Sequence, residues 1–223
     1  MTDTALLART RTAYDTVAVA YEALLRDALA ASPDDRAVLA LFAERVRLSV
    51  RLSGGGPVGD LGCGPGRITS HLHALGLDVF GVDLSPVMVA VARRAHPRLP
   101  FEVGSLLALP VRDDALAGAV AWYSVIHTPP ERLPAVVGEL VRVVRPGGWL
   151  CLAFQEGDGE PRHIAQGYGH DVDLDAWRHS PSYVESLLVA AGAPVQVRVV
   201  REPQGVEMTR QAYLLATVAT RDA

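Results

Sequence analysis

The chain has 223 residues, a formal net charge of −4 and 49% apolar residues. A length of this order fits one domain, or one domain with an extra lobe, and buries roughly 70% of the unfolded surface. All 21 residues in the Lys-plus-Arg count are arginine, and the missing lysine amine excludes a P-loop ATPase, a Schiff-base enzyme and a standard kinase.

The first elements in chain order are helical. Residues 10–31 carry Tyr14, Val17, Tyr21, Leu24 and Leu25 at spacings of three and four, one face of a helix. Ser32-Pro33-Asp34-Asp35 then reads as an N-cap, a first-turn proline and two first-turn acids. The helix so started turns Val38, Leu41, Phe42 and Val46 inward and ends at Gly54-Gly55-Gly56-Pro57.

From Val58 the pattern becomes short apolar runs alternating with helices. Strands are expected at Val58–Leu61, Val79–Val82, Phe101–Val103, Ala119–Ile126 and Trp149–Phe154, with helices near 66–75, 86–95 and 130–144. Ser85-Pro86 and Ser180-Pro181 repeat the cap-then-proline start, Gly192 marks a helix stop, and 195–200 and 212–219 read as strands. Strands spaced by helices imply a parallel sheet wound on both faces, with its ligand site at the carboxyl ends of the strands.

The strongest local signal is Asp60-Leu61-Gly62-Cys63-Gly64-Pro65-Gly66-Arg67, between the first strand and its helix. Gly62 and Gly64 let a ligand approach the backbone, and Gly66 permits tight entry into the helix. Asp83 ends the next strand, where a carboxylate accepts both hydroxyls of a ribose. A dinucleotide site uses G-x-G-x-x-G with a pyrophosphate at the helix N-terminus. Here the spacing is G-x-G-x-G, and Asp60 would repel a pyrophosphate but attract a cationic amino group. S-adenosylmethionine carries such a group, a ribose and an adenine. A nicotinamide-dependent oxidoreductase shares the glycine-loop and Asp83 logic and is the second reading; a non-catalytic cofactor-binding subunit is a third.

With these motifs the chain resembles class I S-adenosylmethionine-dependent methyltransferases, in the small-molecule branch, over roughly residues 10–220. DLGCGPGR and GVDLS match the first and second motifs of that family, and RPGG (Arg145–Gly148) its later turn. YDTVAVAY (Tyr14–Tyr21) resembles its entry helix and AWYSVIHTPPE (Ala121–Glu131) its fourth-strand motif. The resemblance implies a Rossmann-like α/β fold with a doubly wound seven-stranded sheet of order 3-2-1-4-5-7-6, the last strand antiparallel. It further implies a helical cap over 1–53 on a cofactor-binding unit over 54–223, the two forming one structural unit. Carried over by position, Gly62 and Gly64 line the methionine part, Asp60 lies near its amino group, and Asp83 holds the ribose. Leu84 and Met88 pack on the adenine, Tyr123 contacts the cofactor near the methyl centre, and Tyr14 and Tyr21 belong to the covering helix. Where the family often has an acid for the adenine amino group, this chain has Gly104-Ser105-Leu106, leaving the Ser105 hydroxyl and the Leu106 N–H.

His127 follows the fourth strand beside Thr128-Pro129-Pro130 and is a candidate general base, with Tyr123 the second candidate at the methyl centre. The alternative for His127 is a brace for the loop. His71 and His73 lie about 200° apart on a helix and cannot share a metal. The polar stretch Gln155–His179, with Arg162, His163, His170, Asp171 and Asp173, reads as irregular, without metal-ligand spacing, and as one wall of an acceptor pocket. The loop after the fourth strand lacks the residues that stack a flipped base, and no basic stripe is present, so nucleic acid is not expected as the acceptor. Cys63 and Cys151 are too few for a disulfide framework or structural zinc, and no apolar run reaches about 18 residues. A cytoplasmic enzyme with a small-molecule acceptor, no metal and no membrane association is therefore expected.

Overall fold

The computed structural model describes residues 3–220; the ends of the two expected units, 1–2 and 221–223, lie outside them. Three helices come first: α1 (Asp3–Leu25), a single turn α2 (Ala28–Ala31) and α3 (Pro33–Ser53). The one helix expected over 10–31 therefore breaks at Arg26-Asp27. Ser32 caps α3 by accepting from the Asp35 N–H, with Pro33 in the first turn. The same device starts α5 (Pro86–Ala95) at Ser85 and α7 (Pro181–Ala190) at Ser180, so all three Ser-Pro starts act as the sequence predicts.

The other elements are β1 (Val58–Leu61), α4 (Arg67–Ala74), β2 (Val79–Asp83), β3 (Phe101–Val103), β4 (Leu116–Trp122), α6 (Leu133–Val143) and β5 (Val144–Gln155), then β6 (Pro161–Gly167), β7 (His170–Trp177), β8 (Val195–Arg201) and β9 (Gln211–Thr217). The main sheet has order β3-β2-β1-β4-β5-β9-β8. Its first five strands are parallel, and β9 runs antiparallel between β5 and β8. With the β6–β7 pair set aside, this is the expected 3-2-1-4-5-7-6 order.

Period-two alternation buries both faces of the central strands. Leu150, Leu152 and Phe154 of β5 join α6 and α7 on one face; Cys151 and Ala153 join α3 and α4 on the other. A Cβ on Gly118 would lie 2.8 Å from Val46 and 3.0 Å from Phe42, so the glycine lets α3 lie against β4.

Three expectations are corrected. The fourth strand stops at Trp122 rather than Ile126, because Tyr123 takes φ +54° and Val125–His127 form a 3-10 turn. RPGG lies inside β5, beside an irregularity in the β4–β5 register, not before it. The stretch after β5 is not irregular: β6 and β7 form an antiparallel hairpin whose loop is Tyr168-Gly169. Both loop residues have positive φ, +54° and +80°, as a two-residue type I′ turn requires. Among the described residues no helix is long and apolar enough to cross a membrane.

Candidate active site

The loop between β1 and α4 is tied to the end of β2. Gly62 and Cys63 N–H groups both donate to the Val82 carbonyl, and the Gly64 N–H donates to Asp83 Oδ2 at 2.7 Å. Asp83 Oδ1 accepts from the Ser85 N–H at 2.8 Å. Each carboxylate oxygen keeps free lone pairs at the cleft, and burial pushes the Asp83 carboxyl above its usual range. Gly62, Gly64 and Gly66 all have positive φ. At Gly62 the need is also steric, since a Cβ would fall 2.2 Å from the Ser124 Cβ.

Asp60 stands apart from the other expected cofactor residues. It is fully buried and does not line the cleft; its Oδ2 accepts from the Thr69 hydroxyl at 2.6 Å and its Oδ1 has no partner. Burial pushes its carboxyl up to about 7, against the lowering effect of Thr69. Two more buried polar atoms without partners, Ser124 Oγ and Trp122 Nε1, belong to residues of the cleft wall. Native proteins leave few such groups unsatisfied unless a ligand or water meets them.

Helix α1 covers this cleft. Asp15 accepts from the Ser85 hydroxyl at 2.5 Å, fastening α1 to the start of α5. The same helix presents Tyr14 and Tyr21, whose rings meet edge-on at 6.1 Å, and Tyr168 of the hairpin loop lies 4.8 Å from Tyr21. Leu84, Met88, Ser105 and Leu106 line the same cleft; the Ser105 hydroxyl accepts from the Leu107 N–H. Tyr123 also lines it, with its hydroxyl 3.4 Å from that of Tyr213, and burial pushes both phenols up.

His127 joins three elements. Its Nδ1 lies 2.8 Å from the Asp175 carbonyl of β7, and its Nε2 lies 2.6 Å from the Tyr14 hydroxyl. A carbonyl only accepts, so Nδ1 carries the proton; Nε2 is then a lone pair, and Tyr14 donates to it. Burial lowers the His127 pKa, which favours this neutral form. Among the described residues, Tyr14 and His127 are the two shared between the cofactor-type cleft and a second cavity of about 230 Å³ under the hairpin. Tyr168, Trp177 and Arg178 of that second cavity fall within the stretch Gln155–His179 expected to wall an acceptor pocket, but neither they nor Ser124 of the cleft carry a motif that singles them out in the sequence.

The sheet order, with a glycine loop after β1, is that of the Rossmann-like methyltransferase fold. Residues 58–148 match the family described as a methyltransferase domain. An uncharacterized methyltransferase of Mycobacterium tuberculosis is 38% identical over 120 residues, 51% of this chain and 47% of that protein. A trans-aconitate 2-methyltransferase of Methylobacterium nodulans is 39% identical over 109 residues, 47% of this chain and 40% of that protein. The chain thus spans about half the length of the curated relatives it matches. Among solved structures, the DhpI–S-adenosylhomocysteine complex superposes with TM-score 0.72 at 22% identity, covering 99% of this chain and 100% of that one.

Proposed function

We propose that this chain binds S-adenosylmethionine in the cleft under α1 and directs its methyl group to an oxygen or nitrogen of a small molecule in the adjoining cavity. The observation that carries this reading is the acid beneath the glycine loop. Asp60 has an unpartnered oxygen and a carboxyl poised near neutrality, so a cationic ligand above the loop favours its ionised form while a pyrophosphate would oppose it. That chemistry fits a sulfonium with an amino group and disfavours a dinucleotide.

When bound, S-adenosylmethionine supplies a methyl group made electrophilic by its sulfonium. The protein's part is orientation and exclusion of water. Asp83 would hold the ribose, Gly62 and Gly64 would border the methionine portion, and Leu84, Met88, Ser105 and Leu106 would surround the adenine. Tyr14 and Tyr21 would close the cleft from α1, and Tyr123 would border the methyl end.

His127 is the proton acceptor of this scheme. Its Nε2 is the basic nitrogen, and the Tyr14 hydroxyl already donates to it. An acceptor hydroxyl would give its proton to the Tyr14 oxygen as the Tyr14 proton passes to Nε2, or directly to Nε2 if Tyr14 turns aside. The Asp175 carbonyl holds Nδ1–H and stabilises the imidazolium so formed.

The small-molecule acceptor is supported by the cavity beside the cleft and by a relative named for trans-aconitate. The test is transfer of isotopically labelled methyl from S-adenosylmethionine to a panel of hydroxyl and amine acceptors. Turnover on at least one acceptor is expected; cofactor binding without turnover across a broad panel would favour a regulatory subunit.

A further inference from the structure

The second cavity carries a charge pattern that points to its occupant. It is bounded by α1, the turn after β4, the end of β5 and one face of the β6–β7 hairpin. Alternation along the hairpin puts Ile164 and Leu174, and Arg162 and Ala176, in cross-strand pairs on the cavity side. The hairpin's acids, Asp171, Asp173 and Asp175, fall at the other positions. Gln166 donates to Asp171, and Arg9 and His163 pair with Asp173 and Asp175. Among the residues lining the cavity there is no Asp and no Glu.

Two arginines do line it. Arg178 is half-buried, its Nε is fully buried without a partner, and no carboxylate of the described residues lies within ion-pair reach of its guanidinium. Its stem is seated by a missing side chain, since a Cβ on Gly157 would fall 2.5 Å from Arg178 Cβ and 3.1 Å from its Cδ. Its carbonyl accepts from the Gly159 N–H at 2.9 Å. Arg162 lines the same cavity. A partly desolvated guanidinium held in place without a counter-charge is a preorganised site for a planar anion.

We infer that the acceptor is a carboxylate-bearing small molecule, anchored by Arg178 with Arg162 in support, its apolar body against Leu174 and Trp177. This rests on the methyl-transfer reading, because the cavity is an acceptor chamber only if the cleft beyond Tyr14 and His127 holds the methyl donor. The carboxylate sits at the arginine side and leaves the reactive atom to face the Tyr14–His127 partition.

The test uses the whole chain saturated with S-adenosylhomocysteine and the indole N–H resonance of Trp177, assigned with Trp177→Phe. Benzoate and 3-hydroxybenzoate are expected to shift that resonance saturably, with benzamide at least about tenfold weaker. Arg178→Gln is expected to remove the carboxylate's advantage and Arg178→Lys to keep part of it, with S-adenosylhomocysteine affinity unchanged in both. Equal binding of benzamide and benzoate, an advantage that survives Arg178→Gln, preference for phenyl phosphate over benzoate, or no response to either carboxylate would each overturn the inference. Calorimetry on the same samples separates the two levels. Absent S-adenosylhomocysteine binding overturns the methyl-transfer reading, whereas its presence without a carboxylate response overturns the anion site alone.

Discussion

The Tyr14 hydroxyl donates to His127 Nε2 across 2.6 Å, and both residues line the cofactor-type cleft and the cavity under the hairpin. His127→Ala is therefore expected to cut turnover by about 10²–10⁴-fold, the range for a positioned proton acceptor. It also leaves the half-buried Tyr14 phenol without its acceptor, which costs up to about 1–3 kcal/mol. Tyr14→Phe should lower turnover while sparing more stability, since it removes the donor and leaves a neutral imidazole. The double variant should show coupling of about 0.5–3 kcal/mol. Turnover per folded molecule and urea midpoints on the same preparations check both statements. Normal turnover in a destabilised His127→Ala protein would reduce the residue to a brace.

The pH dependence of His127 has a definite sign. Burial lowers its pKa in the folded protein, so the unfolded chain takes up the proton first, near the ordinary value of about 6.5. The stability this group confers is complete above that value and is lost as pH falls below it. His127→Gln should flatten the decline of the urea midpoint below about pH 6.5 relative to the parent. The acid limb of activity should lie below the ordinary imidazole value, not at it.

Gly62 has no room for a side chain: φ is +83° and a Cβ would meet Ser124 Cβ at 2.2 Å. Gly62→Ala should lower the melting temperature and abolish cofactor binding. Adding Ser124→Gly should recover much of the stability, leaving a backbone strain of about 1–2 kcal/mol. Melting curves of the two variants check this; no recovery in the pair would mean that Ser124 is not the obstacle.

Asp60 titrates in the opposite sense to His127. Its folded value, near 7, is above the unfolded one, so its contribution is complete below about pH 3.9 and is lost as pH rises through 7. Each pH unit in that window costs up to about 1.4 kcal/mol. Asp60→Asn should thus be more stable than the parent above pH 7, with the gain vanishing at acid pH, and should bind S-adenosylmethionine more weakly. Comparing each variant with the parent separates this slope from that of His127.

Much of this architecture is legible in the sequence because local and global signals agree. At β1–α4 the apolar run, the glycines and the helix start occupy one stretch of Val58–Ala74, and the three Ser-Pro caps are short-range chemistry. The hairpin was hidden for a physical reason. Asp and Gly are depleted in strands, and the β6 strand offers only Ile164 as a large apolar residue. The signal present was the alternation of Val172, Leu174 and Ala176 between aspartates. Its turn uses Tyr168 at positive φ where Asn or Asp is usual, so the loop did not declare itself. The Tyr14–His127–Asp175 chain was beyond reach for another reason: its members lie 113 and 48 residues apart and meet only through tertiary packing.

The most direct measurement of the central claim is calorimetric titration of the protein with S-adenosylhomocysteine and, separately, with NAD, repeated on Asp83→Ala. Asp83 holds the Gly64 and Ser85 N–H groups and, on the proposed reading, would also accept from two ribose hydroxyls, at roughly 1.5–3 kcal/mol per bond to a charged group. Saturable binding of S-adenosylhomocysteine, none of NAD, and at least about a tenfold weaker dissociation constant in Asp83→Ala are expected. Tight NAD binding with no affinity for S-adenosylhomocysteine, or an Asp83→Ala protein that binds S-adenosylhomocysteine as well as the parent does, would contradict the account.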